Sequence, residues 1–190
     1  MIRVVILASG SGTLAQGIFD ARSSTLEGID IVALISDRPG AQVLLRAQNA
    51  RIESFVIPMM ADRSEWDREI ETLVAALKPD LVISAGFMRI LSAKFVERFK
   101  VINSHPALLP LFPGAHAVRD ALAAGAKETG TTIHWVDAGI DSGEIIAQER
   151  LDILEGDTEE SLHERIKILE RGLIVATIAS LINTMEKNNG

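Results

Sequence analysis

Short runs rich in Val and Ile alternate along the chain with longer stretches whose apolar residues recur at helical spacing, which predicts strands and helices in turn. Residues 2–7, 31–35, 54–57 and 81–84 read as strands, each bounded by turn formers or charges and followed by a helical stretch. Strands separated by helices pair in parallel, with the crossover helices laid on the sheet. The expected fold class is therefore α/β: a Rossmann-like, mostly parallel twisted sheet with helices on both faces. The second half changes character. Residues 131–136 and 145–151 read as strands flanking the turn-rich 137–143, which predicts a functional loop rather than another crossover helix. A last long helix is expected to begin near Asp157, where Asp157 with Glu160 and Ser161 with Glu164 have capping-box spacing. It should run apolar through Leu181 and leave Glu186 to Gly190 as a frayed tail.

With 190 residues and 47% hydrophobic content, one core of ordinary domain size can be buried, so residues 1–190 are expected to form a single domain. No internal repeat, low-complexity segment or linker interrupts the pattern. The densest proline and glycine region, 105–114, lies mid-chain and reads as an active-site loop rather than a boundary. A net charge of −7 opposes non-specific attachment to nucleic acid or anionic membrane, so an anionic ligand must be held by local chemistry. The absence of cysteine excludes disulfides, thiolate metal sites and a cysteine nucleophile. The apolar start of the chain runs straight into a glycine loop rather than a cleavage site, and reads as a strand of a cytoplasmic protein.

That loop, Ser9-Gly10-Ser11-Gly12-Thr13, follows a strand and opens a helix over 14–21, so free backbone N–H groups and the positive helix end converge where a phosphate could bind. Gly10, Gly12 and Ala15 also fit a dinucleotide fingerprint, with Asp37 after the second strand as the ribose-binding carboxylate, so a nicotinamide dehydrogenase is a rival. A tight turn without ligand is a third alternative. Further on, Asn103 and His105 stand two apart on an extended segment and should face one cleft. An amide donor beside an imidazole suits acyl transfer: the amide stabilises an oxyanion while the histidine moves protons. Direct attack by a substrate amine then needs no serine or cysteine nucleophile. A turn-capping Asn with a structural His would explain the same residues. Asp141, in a glycine-bounded loop, could meet His105, raise its pKa and fix its ring, although Asp-Ser-Gly is also ordinary turn chemistry.

Taken together, SGSGT from Ser9, AGFMRIL from Ala85, NSHPALLP from Asn103, FPG from Phe112 and GTTIHWVDAGIDSG from Gly130 resemble the phosphoribosylglycinamide formyltransferase family over nearly the whole chain. The resemblance implies formyl transfer from 10-formyltetrahydrofolate, as co-substrate and without a metal, to 5-phosphoribosylglycinamide, with no nucleic acid or membrane partner. It implies Asn103, His105 and Asp141 as the catalytic trio. The ribonucleotide would be held by Gly10, Ser11, Gly12, Thr13, Leu14 and Gly86, helped by Lys167 and Glu170, which share a helix face and read equally as a solvated salt bridge. Folate would lie along Arg63, Met88, Arg89, Ile90, Leu91, Asp137, Ala138, Gly139 and Ile140, whereas the residues alone read Met88, Ile90 and Leu91 as core and Arg63 as a solvated charge in the first turn of a helix. The N-terminal half would thus serve the ribonucleotide and the C-terminal half the folate and the catalytic loop. One departure stands out: many members carry Asn where this chain has Leu14, so a side-chain contact is lost while the backbone cradle survives. The chain also lacks the extra C-terminal residues of many relatives, which lie outside the matched motifs. A formyltetrahydrofolate hydrolase would use the same trio but usually adds an N-terminal domain, and a transfer-RNA formylating enzyme would need a basic C-terminal domain. A non-catalytic binding domain of the same fold is a further alternative, and a homodimer is compatible with the sequence.

Overall fold

The computed structural model describes residues 1–188. Five strands lie parallel: β1 (Ile2–Leu7), β2 (Ile29–Ser36), β3 (Ser54–Val56), β4 (Leu81–Ser84) and β5 (Val101–His105). They join β6 (Glu128–Trp135) and β7 (Ile145–Asp152), paired antiparallel, in one seven-stranded sheet of order β3-β2-β1-β4-β5-β6-β7. The helices are α1 (Thr13–Ala21), α2 (Gln42–Asn49), α3 (Arg63–Leu77), α4 (Ala93–Arg98), α5 (Ala117–Ala123) and α6 (Glu159–Asn188). The mostly parallel α/β sheet predicted from the pattern is the one found, and the loop over 137–143 does join two antiparallel strands.

Alternation along the central strands separates two cores. Val4, Ile6, Ile83 and Ile102 face α1, α2 and α6, in a cluster with Ile18, Phe19, Ile174 and Ile178. Val5, Leu7, Val82 and Val101 face the opposite way, with Trp66, Ile70 and Phe95 of α3 and α4. Each such side chain, fully buried, stabilises the fold by about 1.5–3 kcal/mol, which is why runs hydrophobic on both faces can only be central strands.

The long helix departs from expectation at both ends. Its N-terminus is closed by Thr158 and Ser161, each hydroxyl accepting the other's backbone N–H at 2.9 and 3.1 Å, rather than by Asp157 with Glu160. Asp157 instead accepts the Leu154 N–H and pairs with Arg165. The helix then continues through Asn188, so Glu186 does not begin a frayed tail; Asn189 and Gly190 lie outside the described residues. By length and hydropathy α6 could cross a membrane, yet it packs on α1, α5, β6 and β7 and buries Ile166, Ile174, Ile178 and Ile182 there.

Candidate active site

The chain leaves β1 for β2 and β3 on one side and later adds β4 and β5 on the other, so the loops after β1 and β4 diverge at the carboxyl ends of neighbouring strands. Ligands of open α/β sheets bind in that crevice. Here the loops are tied together: Ser9 N–H donates to the Gly86 carbonyl at 3.1 Å, and Met88 N–H donates to Ser9 Oγ at 2.8 Å.

The loop after β1 is shaped by Gly12, which sits at φ +71° as the residue capping α1. A Cβ there would stand 2.3 Å from Val43 Cγ2, so only glycine fits. The N-termini of α3 and α4 are closed by the side chains of Asp62 and Ser92, whereas α1, like α2 and α5, has no side-chain cap. Its first-turn N–H groups and its dipole are therefore left for an outside acceptor. Arg46, which sequence reasoning missed, braces the loop by donating to the Ser11 carbonyl at 2.8 Å. Leu14 turns its side chain into the core, so only its main chain can meet a ligand.

The second wall is the β5–β6 corner. Asn103 and His105 do share one strand face, and register places His134 and Thr132 of β6 opposite them. His105 is buried; its Nε2 donates to the Phe112 carbonyl at 2.8 Å, and its Nδ1 lies 3.4 Å from Asp141 Oδ2. Asp141 holds a left-handed backbone at φ +50°, an uncommon state for a non-glycine residue, and accepts the Gly114 N–H at 2.7 Å. The sequence did not single out His134. Its Nδ1 faces the Trp135 carbonyl at 2.8 Å and so carries a proton, which makes Nε2 of the neutral ring an acceptor for the Asn103 amide at 3.2 Å. Asn103 is thereby oriented with one N–H spent on His134 and the other without a partner among the described residues. The same Nε2 lies 3.5 Å from Asp141 Oδ1.

Asp141 does pull the His105 pKa up as expected, but the net direction is down. Burial pushes the imidazolium down, outweighing the upward pull of the Asp141 carboxylate and of the Phe112 carbonyl. The ring nitrogens nonetheless face two acceptors, an arrangement only the doubly protonated ring satisfies in full. Asp141 is held below the usual carboxylate range by His134 and the Gly114 N–H, against the effect of burial.

Around this centre the other expected residues divide. Met88, Ile90 and Ile140 are exposed apolar side chains on the loops after β4 and β6, with Ala138 and Gly139 exposed beside Ile140. Leu91 is core, packed with Trp66 and Phe95, so it offers a ligand only its backbone. Arg63 donates to the Ile90 carbonyl and pairs with Asp67, bracing the loop as well as edging it. Asp137 accepts from Gly139 N–H and Ser142 Oγ and so shapes its own turn. Lys167 is paired with Glu164 at 2.7 Å. Glu170 is not a surface carboxylate: it is buried and accepts from Ser104 Oγ at 2.7 Å, and burial pushes its carboxyl up. Asp37, on which the nicotinamide alternative depended, has a fully buried side chain held by Arg89 Nε at 2.6 Å, and so cannot reach a ribose.

The chain is similar to known proteins along nearly its whole length. The formyl transferase family profile matches residues 2–178. A phosphoribosylglycinamide formyltransferase of Mycobacterium tuberculosis is 48% identical over 184 residues, covering 94% of this chain and 84% of the relative. The trifunctional purine biosynthetic protein adenosine-3 of Drosophila melanogaster is 43% identical across 95% of this chain, which spans 14% of that protein. Glycinamide ribonucleotide transformylase 1 of Symbiobacterium toebii superposes with a TM-score of 0.92 at 37% identity, covering 97% of this chain and 89% of the other. A β1 loop open to an anion, a β5–β6 corner carrying Asn103, His105 and Asp141, and a match along nearly the whole chain thus converge: the chain belongs to the formyl transferase family, among its phosphoribosylglycinamide formyltransferases.

Proposed function

We propose that the enzyme takes the formyl group from 10-formyltetrahydrofolate and places it on the amine of 5-phosphoribosylglycinamide, and that Asn103, His105 and Asp141 carry the chemistry. The observation that carries this reading is the approach of His105 Nδ1 to Asp141 Oδ2, 3.4 Å, with the second N–H of Asn103 on the same strand face. The amine lone pair attacks the formyl carbon and the carbonyl π pair moves onto oxygen. The resulting oxyanion is met by the Asn103 N–H and by the Nε2 N–H of protonated His105, which turns to it from the Phe112 carbonyl while Asp141 balances the charge at Nδ1. The proton of the attacking nitrogen passes to the departing folate nitrogen, the C–N bond to folate breaks, and the carbonyl re-forms as the new formamide.

Substrate phosphate would sit on the N–H groups of Gly10 to Leu14 and beside Gly86, with Lys167 turning from Glu164 to meet it and Glu170 accepting from ribose hydroxyls. The folate would lie over Met88 and Ile90 and along Asp137 to Ile140, its pterin edge read by the main chain of Arg89 and Leu91, with Arg63 towards its tail. The N-terminal half then serves the ribonucleotide and the C-terminal half the folate. No metal is needed, because the oxyanion is met by hydrogen-bond donors. We place the enzyme in the cytoplasm as a soluble protein acting on small molecules alone, without nucleic acid or membrane partners and with a homodimer as its assembly. The deciding measurement follows tetrahydrofolate release with and without the ribonucleotide amine. Release that requires the amine supports transfer, whereas equal release without it makes the enzyme a hydrolase.

A further inference from the structure

Helix α6 buries a row at four-residue spacing that reads Leu162, Ile166, Glu170, Ile174, Ile178, Ile182, with Thr177 buried beside it. Glu170 is the one ionisable member, and a carboxyl group there costs free energy that an apolar residue would not. It meets a matching exception on the sheet. Ser104 of β5 points to the same face as Ile102, beside Ile133 of β6, yet it is polar, and its only proton is donated to Glu170 Oε1 at 2.7 Å. Thr131 of β6 continues the polar line, with its Oγ1 3.5 Å from Ser104 Oγ and donating to the backbone carbonyl of His105 at 3.3 Å. Glu170 Oε2 has no hydrogen-bond partner among the described residues and is not sealed from solvent.

We propose that Ser104 is a positioning residue for ribonucleotide recognition: its hydroxyl pins Oε1 of Glu170 so that the carboxylate is presented in one rotamer, with Oε2 open to a vicinal diol. The proposal rests on the assignment of Glu170 to the ribose in the function above. The physical reason lies in side-chain entropy. A glutamate has three rotatable bonds, and a carboxylate fixed before substrate arrives loses less freedom on accepting the sugar hydroxyls. Ser104 itself donates nothing to the substrate, because its only proton is spent on Glu170 Oε1. It acts on affinity and not on the chemical step.

Steady-state kinetics of Ser104→Ala, Ser104→Thr, Glu170→Gln and the Ser104→Ala/Glu170→Gln pair test this in the intact enzyme. Loss of one hydrogen bond to a carboxylate should raise the KM for the ribonucleotide in Ser104→Ala by about five- to tenfold. The values of kcat and of the KM for formylfolate should stay within about twofold. Ser104→Thr, which keeps the hydroxyl, should restore the ribonucleotide KM, and Ser104→Ala should add less in the Glu170→Gln background than in the unaltered enzyme, because the amide still accepts from Ser104 but no longer presents a carboxylate to the sugar. An unchanged ribonucleotide KM in Ser104→Ala overturns the proposal, as does a parallel fall in kcat or a full additive effect in the pair. If Glu170→Gln itself leaves that KM unchanged, the assignment of Glu170 to the ribose fails as well; if Glu170→Gln raises it and Ser104→Ala does not, only the positioning role fails.

Discussion

The glycine loop after β1 and the β5–β6 corner face the same crevice, but one presents main-chain N–H groups from consecutive residues and the other presents side chains from positions 103, 105, 134 and 141. The first site needs the backbone to turn correctly and tolerates changes in side chains that point away. The second needs particular functional groups at particular distances, supplied by segments that meet only after the sheet has formed. Affinity and chemistry should therefore separate when the two regions are mutated.

The sharpest way to break this division is at the corner. His105→Ala or Asp141→Asn should lower kcat by about a thousandfold or more while the ribonucleotide KM stays within a few-fold, as steady-state kinetics would reveal. A matching loss of affinity would mean that the two regions are one site energetically. At the loop the expected effect is smaller and of the other kind. In Gly12→Ala the new Cβ would stand 2.3 Å from Val43 Cγ2 on a backbone at φ +71°. The strain should lower thermal stability by about 1–3 kcal/mol and raise the ribonucleotide KM about ten- to a hundredfold, with kcat much less affected. Gly10→Ala, where a Cβ meets nothing within 4 Å, is the control for steric strain and should leave the melting temperature nearly unchanged.

Acidity sharpens the comparison further. The His105 pKa is lowered, so the proton that serves the oxyanion is held below the ordinary histidine range and lost as pH rises through that lowered value. The pH profile of kcat/KM should show its basic limb there, and the residual activity of Asp141→Asn should show the limb at still lower pH, because the upward pull of the carboxylate is gone. A limb above the usual histidine range would contradict the dominance of burial. Asp141 titrates in the opposite sense. Because its folded pKa is depressed, its ionised form contributes stability that is complete above the ordinary carboxylate pKa and lost as pH falls through the depressed value. The smallest effect on substrate belongs to Leu14→Asn: the ribonucleotide KM should change by less than about threefold, since the N–H stays in place, while stability falls by about 1–3 kcal/mol from burying an amide in an apolar core.

Legibility in the sequence follows the range of the interaction. The strands β1, β2 and β4 were plain because burial on both faces leaves continuous apolar runs, and the loop at Gly12 was plain because its geometry is set within a few residues. Asn103 and His105 could be paired from alternation along one strand. The short helix α5 was too brief to show a period, and the closure of α6 by Thr158 and Ser161 competed with equally good spacings one residue away. His134 escaped notice because it meets Asn103 through cross-strand register over 31 positions.

By itself the amino-acid order determined the alternation of strand and helix, the glycine turn that leaves α1 uncapped, and a set of residue types suited to acyl transfer. Those are local properties, written in periodicity and in backbone preference. Only the tertiary structure decided that Asp141 stands against His105, that His134 orients Asn103, that Arg89 takes Asp37, and that Glu170 is buried against Ser104. Each of those pairings depends on strand order and register, and burial then sets the balance between charge and desolvation, which no stretch of sequence specifies alone.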